Sequence, residues 1–210
     1  MSQIEHEFRQ LLSKKPELEK CYQAGLINRR ALARYLVKEG IATGNQMEAI
    51  VAMLRRFPFR EIPAVKDLFK KIKVSIKDNI VVFSFAKEKE LVRQLQKIVA
   101  AFSYDHGDTL KIVVGTTTIK IFVDLENEKM VKDALGAFKL KHRIGHLAEI
   151  SILFPEEAIQ TKGIISTLAS ELALHGVVIT EMITATPELI LYVHESGVLK
   201  VYELVKRLQR

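Results

Sequence analysis

The side chains with the plainest chemical uses in this 210-residue chain are its six histidines, its charged residues and a single cysteine. His6, His106, His142, His146, His175 and His194 are scattered along the sequence. His142 and His146 would need a helix to face one metal ion, and they fall in a stretch that reads as strand and turn. His175 stands beside Gly176 at a helix end, where histidine commonly caps. Glu156 and Glu157 are adjacent and precede a helix, a place where carboxylates complement the helix dipole. No Ser/His/Asp arrangement, phosphate-binding glycine loop or H-E-x-x-H motif occurs. No catalytic residue, metal ligand or cofactor is therefore assigned, and the chain is not read as an enzyme.

One charged pattern does have a use. Arg30, Arg34 and Lys38 recur every fourth residue with Arg29 beside them, while Leu32, Tyr35 and Leu36 define the opposite face. A basic stripe at helical spacing is what the phosphate backbone of duplex DNA requires. A solvated helix surface is equally compatible with it. The basic excess is concentrated at the front: residues 1–70 carry 13 Lys/Arg against 8 Asp/Glu, and residues 141–210 carry 7 against 8.

These side chains need elements to position them. Residues 2–57 show only helical spacing: Ile4, Phe8, Leu11 and Leu12 in one helix, then PELEKCYQA opened by Pro16 and closed by Gly25. Asn28 caps a third helix through Glu39, with Gly40 at its end. A fourth helix starts at residues 43–45, with Asn45 and Glu48 spaced as a capping box. The third and fourth helices and their glycine turn have the form of a helix-turn-helix unit, which many helical hairpins share. The prolines of FPFREIPAVKDLFKK mark a linker, placed at 61–71, with one helical turn near Ala64–Phe69. From residue 72 the pattern changes to strands. KIKVSI and IVVFSF, with Lys77-Asp78-Asn79 between them, predict a hairpin. A helix (Leu91, Leu95, Ile98, Val99 and Phe102 on one face), a polar turn at 103–108, strands TLKIVV and TIKIFVD, and a helix over 126–138 follow. The order then repeats at an offset of 69 residues, which places Phe85 on Phe154, Val113 on Met182 and Ile121 on Ile190.

The second copy carries a resemblance. Lys162-Gly163-Ile164, then His175-Gly176-Val177-Val178-Ile179, then the strand Glu188–Val193 resemble the ACT domain, above all the version at the C-terminus of aspartate kinases. INRRALARYL followed by QMEAIVAMLRRF also resembles a module that precedes ACT domains in archaeal proteins assigned as regulators. The first resemblance implies a regulatory module that binds an amino acid where the first strand turns into the first helix. Carried over by position, Thr161, Lys162, Gly163 and Ile164 form that site. Val178, Ile179, Thr180 and Glu181 form the facing strand, with Glu181 as acceptor for an amino group. The matching loop of the first copy, AKEKELV, lacks the glycine, so one site per chain is expected. The kinase catalytic domain is absent, and its activity does not carry over.

The expected fold is thus α+β: a helical domain (1–60), a linker (61–71) and two ferredoxin-like ββαββα, permuted ACT-like units (72–138 and 139–210). The chain ends on a helix, so the last strand of a standard unit is missing. The leading strand of each unit (72–77 and 139–144) fills that place, either in its own unit or exchanged with the other. The expected function is a cytoplasmic, ligand-responsive regulator. It would be a homodimer through its ACT-like units, sense an amino acid or related metabolite and bind DNA through Arg29, Arg30, Arg34 and Lys38. The alternative is an interaction protein that controls a metabolic enzyme by contact. No apolar run approaches the roughly 18 residues of a membrane span.

Overall fold

The computed structural model describes residues 3–59, 65–102 and 107–209, in two compact units, Met1–Ile62 and Pro63–Arg210. The first unit is helical: α1 (Gln3–Lys14), α2 (Pro16–Gln23), α3 (Arg29–Lys38) and α4 (Met47–Arg56). Phe8, Leu32, Leu36, Ile50 and Leu54 are almost wholly buried at its centre. Asn28 caps α3, its Oδ1 accepting the Ala31 N–H at 2.8 Å. Ahead of α4 the capping box is made by Thr43 and Gln46 across a 3-10 turn, not by Asn45 and Glu48. Gln46 Oε1 accepts the Thr43 N–H at 2.9 Å, which leaves Glu48 free to pair with Arg30.

The expected linker is shorter than the prolines suggest. Phe57 and Phe59 belong to the helical core: Phe8 meets Phe57 edge-on at 4.8 Å and Phe59 stacks on Tyr22 at 4.4 Å. Residues 61–64 lie outside the described residues. α5 (Val65–Lys70) then buries Val65 and Phe69 in the second unit. The expected polar turn at 103–108 also falls largely outside the described residues.

The second unit is built on two 14-residue strands, β1 (Lys73–Ala86) and β4 (Leu140–Leu153). Between and after them run α6 (Lys89–Ala101), β2 (Leu110–Val114), β3 (Thr118–Asp124), α7 (Glu128–Leu135), α8 (Ile164–Leu174), β5 (Glu181–Ala185), β6 (Glu188–His194) and α9 (Val198–Leu208). The sheet is antiparallel, in the order β2-β3-β1-β4-β6-β5.

The two expected hairpins are not formed, so each half runs β-α-β-β-α instead of ββαββα. At Asn79 and His146 the chain takes a left-handed φ of 55° and continues in the same direction. A single such residue, tolerable for Asn and His, kinks a strand and shifts its register without reversing it. Register shifts fall there in the β1–β4 pairing. Lys73–Lys77 therefore pairs with Glu149–Leu153 of the second half, and Leu140–Ile144 pairs with Val82–Phe85 of the first. The leading strands are exchanged. Ile80 faces Leu147 at the centre of this crossing, and pairs on either side repeat about it.

Helices cover one face of each half. Leu91, Leu95, Ile98, Val131 and Leu135 from α6 and α7 pack on Val81, Phe83, Ile119 and Ile121. Ile164, Leu168, Leu172, Val201 and Val205 from α8 and α9 pack on Ile150, Ile152, Leu189 and Leu191. The other faces of the two halves meet each other. Phe122 and Tyr192 lie 4.5 Å apart, centroid to centroid, among Ile80, Val82, Leu147 and Ile190. Two ion pairs cross this interface, Lys111–Glu149 at 2.6 Å and Lys120–Glu181. The Tyr192 hydroxyl donates to Glu149 at 2.6 Å, and burial pushes its pKa up, with the neighbouring Glu149 charge adding to the rise.

The repeat is real, but its offset is not constant. β1 matches β4 at 67 residues and β3 matches β6 at 70. Ile121 therefore corresponds to Leu191, both facing helices, and not to Ile190, which faces the other way. Because side chains alternate along a strand, a slip of one residue assigns every position to the wrong face.

Candidate effector cleft

The difference in offset arises where strand passes to helix. Two residues, Lys87 and Glu88, connect β1 to α6, whereas Phe154–Gly163 connects β4 to α8. Both connections begin alike. The Lys87 N–H donates to the Thr117 carbonyl at 3.1 Å, and the Phe154 N–H donates to that of Pro187 at 3.1 Å. In the first half the helix then starts at once, and Lys87 Nζ donates to the Gly115 carbonyl at 3.1 Å. In the second half the chain makes a 3-10 turn (Glu156–Gln160) before reaching Gly163.

This detour leaves a cleft of about 260 Å³. Its floor is Phe154, Ile164 and Leu189, and its far wall is the β5–β6 turn with Thr184, Thr186 and Pro187. Thr161 and Ser166 bring hydroxyls to the near side. Gly163 sits at the mouth with φ +94, and no atom lies within 4 Å of where a Cβ would stand. Its need for glycine is therefore conformational: any other residue would be strained there, whatever the space.

Gly163 also begins α8, with no side chain capping the helix. The first intrahelical bond runs from the Thr167 N–H to the Gly163 carbonyl at 2.8 Å, so the amides of residues 164–166 have no acceptor within the helix. Such amides, with the dipole behind them, favour a carboxylate.

Of the residues singled out in the sequence, Thr161, Gly163 and Ile164 line this cleft and Lys162 does not. The facing segment lies elsewhere. Strand β5 begins only at Glu181, Val178 is 79 % exposed, and Ile179 packs on the core beside α8. The Thr180 N–H donates to the Tyr192 carbonyl at 2.8 Å. Glu181 faces the first half and is paired with Lys120, so it is not offered to a ligand. The wall opposite Gly163 is instead the far end of the same hairpin, residues 184 and 186–189. Pro187, which cannot continue a strand, marks that turn in the sequence, but only the fold places it against α8.

Two histidines make local contacts at element ends. His175 caps α8: its Nδ1 donates to the Glu171 carbonyl at 2.8 Å, which leaves Nε2 to accept from Arg207 Nη1 at 3.2 Å. His194 Nδ1 accepts the Ser196 N–H at 3.3 Å. No group of three or more His, Cys, Asp or Glu that could hold a metal ion lies among the described residues.

In the helical unit, Arg29, Arg30, Arg34 and Lys38 all stand exposed on α3. Arg30 meets Glu48 of α4 at 3.2 Å, while Arg34 and Lys38 have no ion-pair partner among the described residues. No helix of the described residues is long and apolar enough to cross a membrane.

No protein-family model matches the sequence, and no curated protein matches it. Solved structures do. Aspartate kinase from Clostridium acetobutylicum superposes with a TM-score of 0.55 at 14% identity, over 65% of this chain and 34% of that one. The regulatory subunit of aspartate kinase from Thermus flavus gives 0.53 at 12%, over 65% of this chain and 97% of the subunit. The ligand-free regulatory subunit from Thermus thermophilus gives 0.51 at 11%, over 64% and 95%. The chain thus spans about a third of the Clostridium kinase and nearly the whole of the regulatory subunits. It shares with them an ACT-like fold of helices on antiparallel sheet.

Proposed function

We propose that this chain is a ligand-responsive regulatory protein. Its effector, an amino acid or a related small carboxylate, binds in the cleft between Gly163 and the β5–β6 turn. The observation that carries this reading is the lengthened connection from β4 to α8, which turns a closed strand-to-helix corner into a cleft with uncapped amides at its mouth. The walls offer hydroxyls, apolar carbons and the carboxylate of Glu188, which also accepts from Ser151 and suits an effector's amino group, but no cationic side chain. They suit an effector whose own side chain is uncharged, its carboxylate held by the backbone of residues 164–166. The corresponding corner of the first half passes from β1 to α6 in two residues and has no glycine, so one site per chain is the reading.

Dimerisation through the second unit fits the surface beside the cleft. α8 turns Ile165 and Leu174 to solvent, with only Ala and Ser among its other exposed positions, and β5 is a free sheet edge. For the output, the stripe on α3 supports binding to duplex DNA. The pairing of Arg30 with Glu48 favours the alternative, a protein partner, because it removes part of the stripe's charge.

The two outputs separate on one measurement. Fluorescence anisotropy with random-sequence duplex DNA at low salt should show binding that weakens steeply as salt is raised. Arg30→Ala with Arg34→Ala should weaken it further and reduce the salt slope by about 2. An absence of DNA binding at low salt would remove the DNA reading and leave the protein-contact one. The effector reading is tested by a thermal-shift screen of the common amino acids.

A further inference from the structure

The β5–β6 hairpin is held at both ends by different things. At its turn, Thr184, Thr186, Pro187 and Leu189 form the far wall of the cleft. At its open end, Glu181 and Tyr192 stand directly opposite each other in register and project from the other face. Both grip the first half. Glu181 pairs with Lys120 on β3, and the Tyr192 ring lies 4.5 Å from that of Phe122, also on β3. The Tyr192 hydroxyl reaches Glu149, whose carboxylate receives Lys111 of β2 at 2.6 and 2.7 Å.

The polarity of this grip is one-sided. The first half supplies the lysines and the second the glutamates. By register the hairpin β2–β3 presents Lys111 where β5 has Glu181, and at its turn Lys87 Nζ donates to the Gly115 carbonyl. The second hairpin joins the cleft beside Gly163 to the opposite half. A two-stranded element with five-residue β5 as its free edge moves as a unit more readily than the crossed strands β1 and β4, which are paired on both sides over part of their length.

We propose that the β5–β6 hairpin is the coupling element of the second unit: what occupies the cleft sets the position of the hairpin, and the Lys120–Glu181 pair carries that position to strands β2 and β3 of the first half. This rests on reading the cleft as the effector site, and it names how occupancy there would be regulated and relayed. The pair suits the task because it is partly buried, with Lys120 31% and Glu181 19% exposed, so a shift of the hairpin alters its geometry directly. Coupling through such packed, ion-paired contacts has a typical range of about 0.5–2 kcal/mol, or roughly two- to thirtyfold in an equilibrium.

The test needs no identified ligand. Thr184→Phe fills the cleft from its exposed wall, and amide hydrogen exchange is followed across β2–β3 in the full chain. The proposal expects exchange at Ile119, Ile121 and Phe122 to change by about threefold or more. It expects that change to vanish when the same substitution is made with Lys120→Met and Glu181→Met. If the filled cleft leaves β2–β3 unaltered, or alters it equally with and without the pair, the proposal is wrong. Thr186→Phe gives an independent filling of the cleft, and Lys120→Gln with Glu181→Gln an independent cut of the pair, should either first choice fail to fold. A negative result here leaves the effector reading standing, because that reading is decided by stabilisation with amino acids and not by transmission.

Discussion

Glu149 is the most deeply placed carboxylate among the described residues of the second unit, its side chain 10% exposed, and it is tolerated there because two donors reach it. Lys111 supplies the charge and Tyr192 a hydroxyl. A buried pair adds little over an apolar replacement of both partners, yet removing one partner strands the other charge. Lys111→Met should therefore lower stability in urea denaturation by about 2 kcal/mol, less than the full cost of a stranded charge because Lys111 is itself partly exposed. Lys111→Met combined with Glu149→Met should recover most of the loss. A single variant as stable as the wild type would mean that water already satisfies Glu149. Gly163 poses the opposite case at this scale. Nothing crowds it, and its identity is a matter of φ alone.

Between elements, the exchanged strands are fixed by side chains as well as by ladder bonds. Arg143, on the part of β4 that crosses into the first half, donates from Nε and Nη2 to Glu128 at 2.7 and 2.8 Å, at the start of α7. Lys132 joins at 2.6 Å. The Arg143 hydrogen bonds above all hold the Glu128 carboxyl down to about 2, against an ordinary 4.5. A folded-state pKa below the unfolded value means that the unfolded chain takes up the proton first as pH falls. This carboxylate's contribution is therefore complete above about pH 4.5 and is lost progressively down to about 2. Denaturation followed over that window should show a shallower decline for Arg143→Ala than for the wild type, with a loss of about 1 kcal/mol at neutral pH. Parallel pH profiles would contradict this. At the same scale lies what the sequence could not disclose. The helices and most strands were legible from periodicity, and Asn28 from its capping chemistry. Lys77-Asp78-Asn79 reads locally as a turn, and the choice between folding back and running on to the other half depends on partners about seventy residues away. The assumed constant offset of 69 failed for a related reason: with the longer connection before α8 the offset rises from 67 at β1 and β4 to 70 at β3 and β6, and an error of one residue reverses faces.

Taken whole, the molecule joins a helical unit with an exposed basic stripe to a unit of two crossed halves, the second of which carries the cleft beside Gly163. Of the residues that the sequence resemblance named, 161, 163 and 164 line that cleft. The resemblance missed the far side, because the family pattern marks positions along the chain while the wall is supplied by whichever end of the hairpin the fold turns toward α8. Titration of the wild-type protein with each of the common amino acids, monitored by thermal unfolding, tests the central claim most directly. A ligand at a hundredfold excess over its Kd stabilises the folded state by about 2.7 kcal/mol, several degrees in Tm for a unit of this size. At least one amino acid with an uncharged side chain should give such a shift, abolished by Gly163→Val. No shift with any amino acid, or an undiminished shift in Gly163→Val, would contradict the claim.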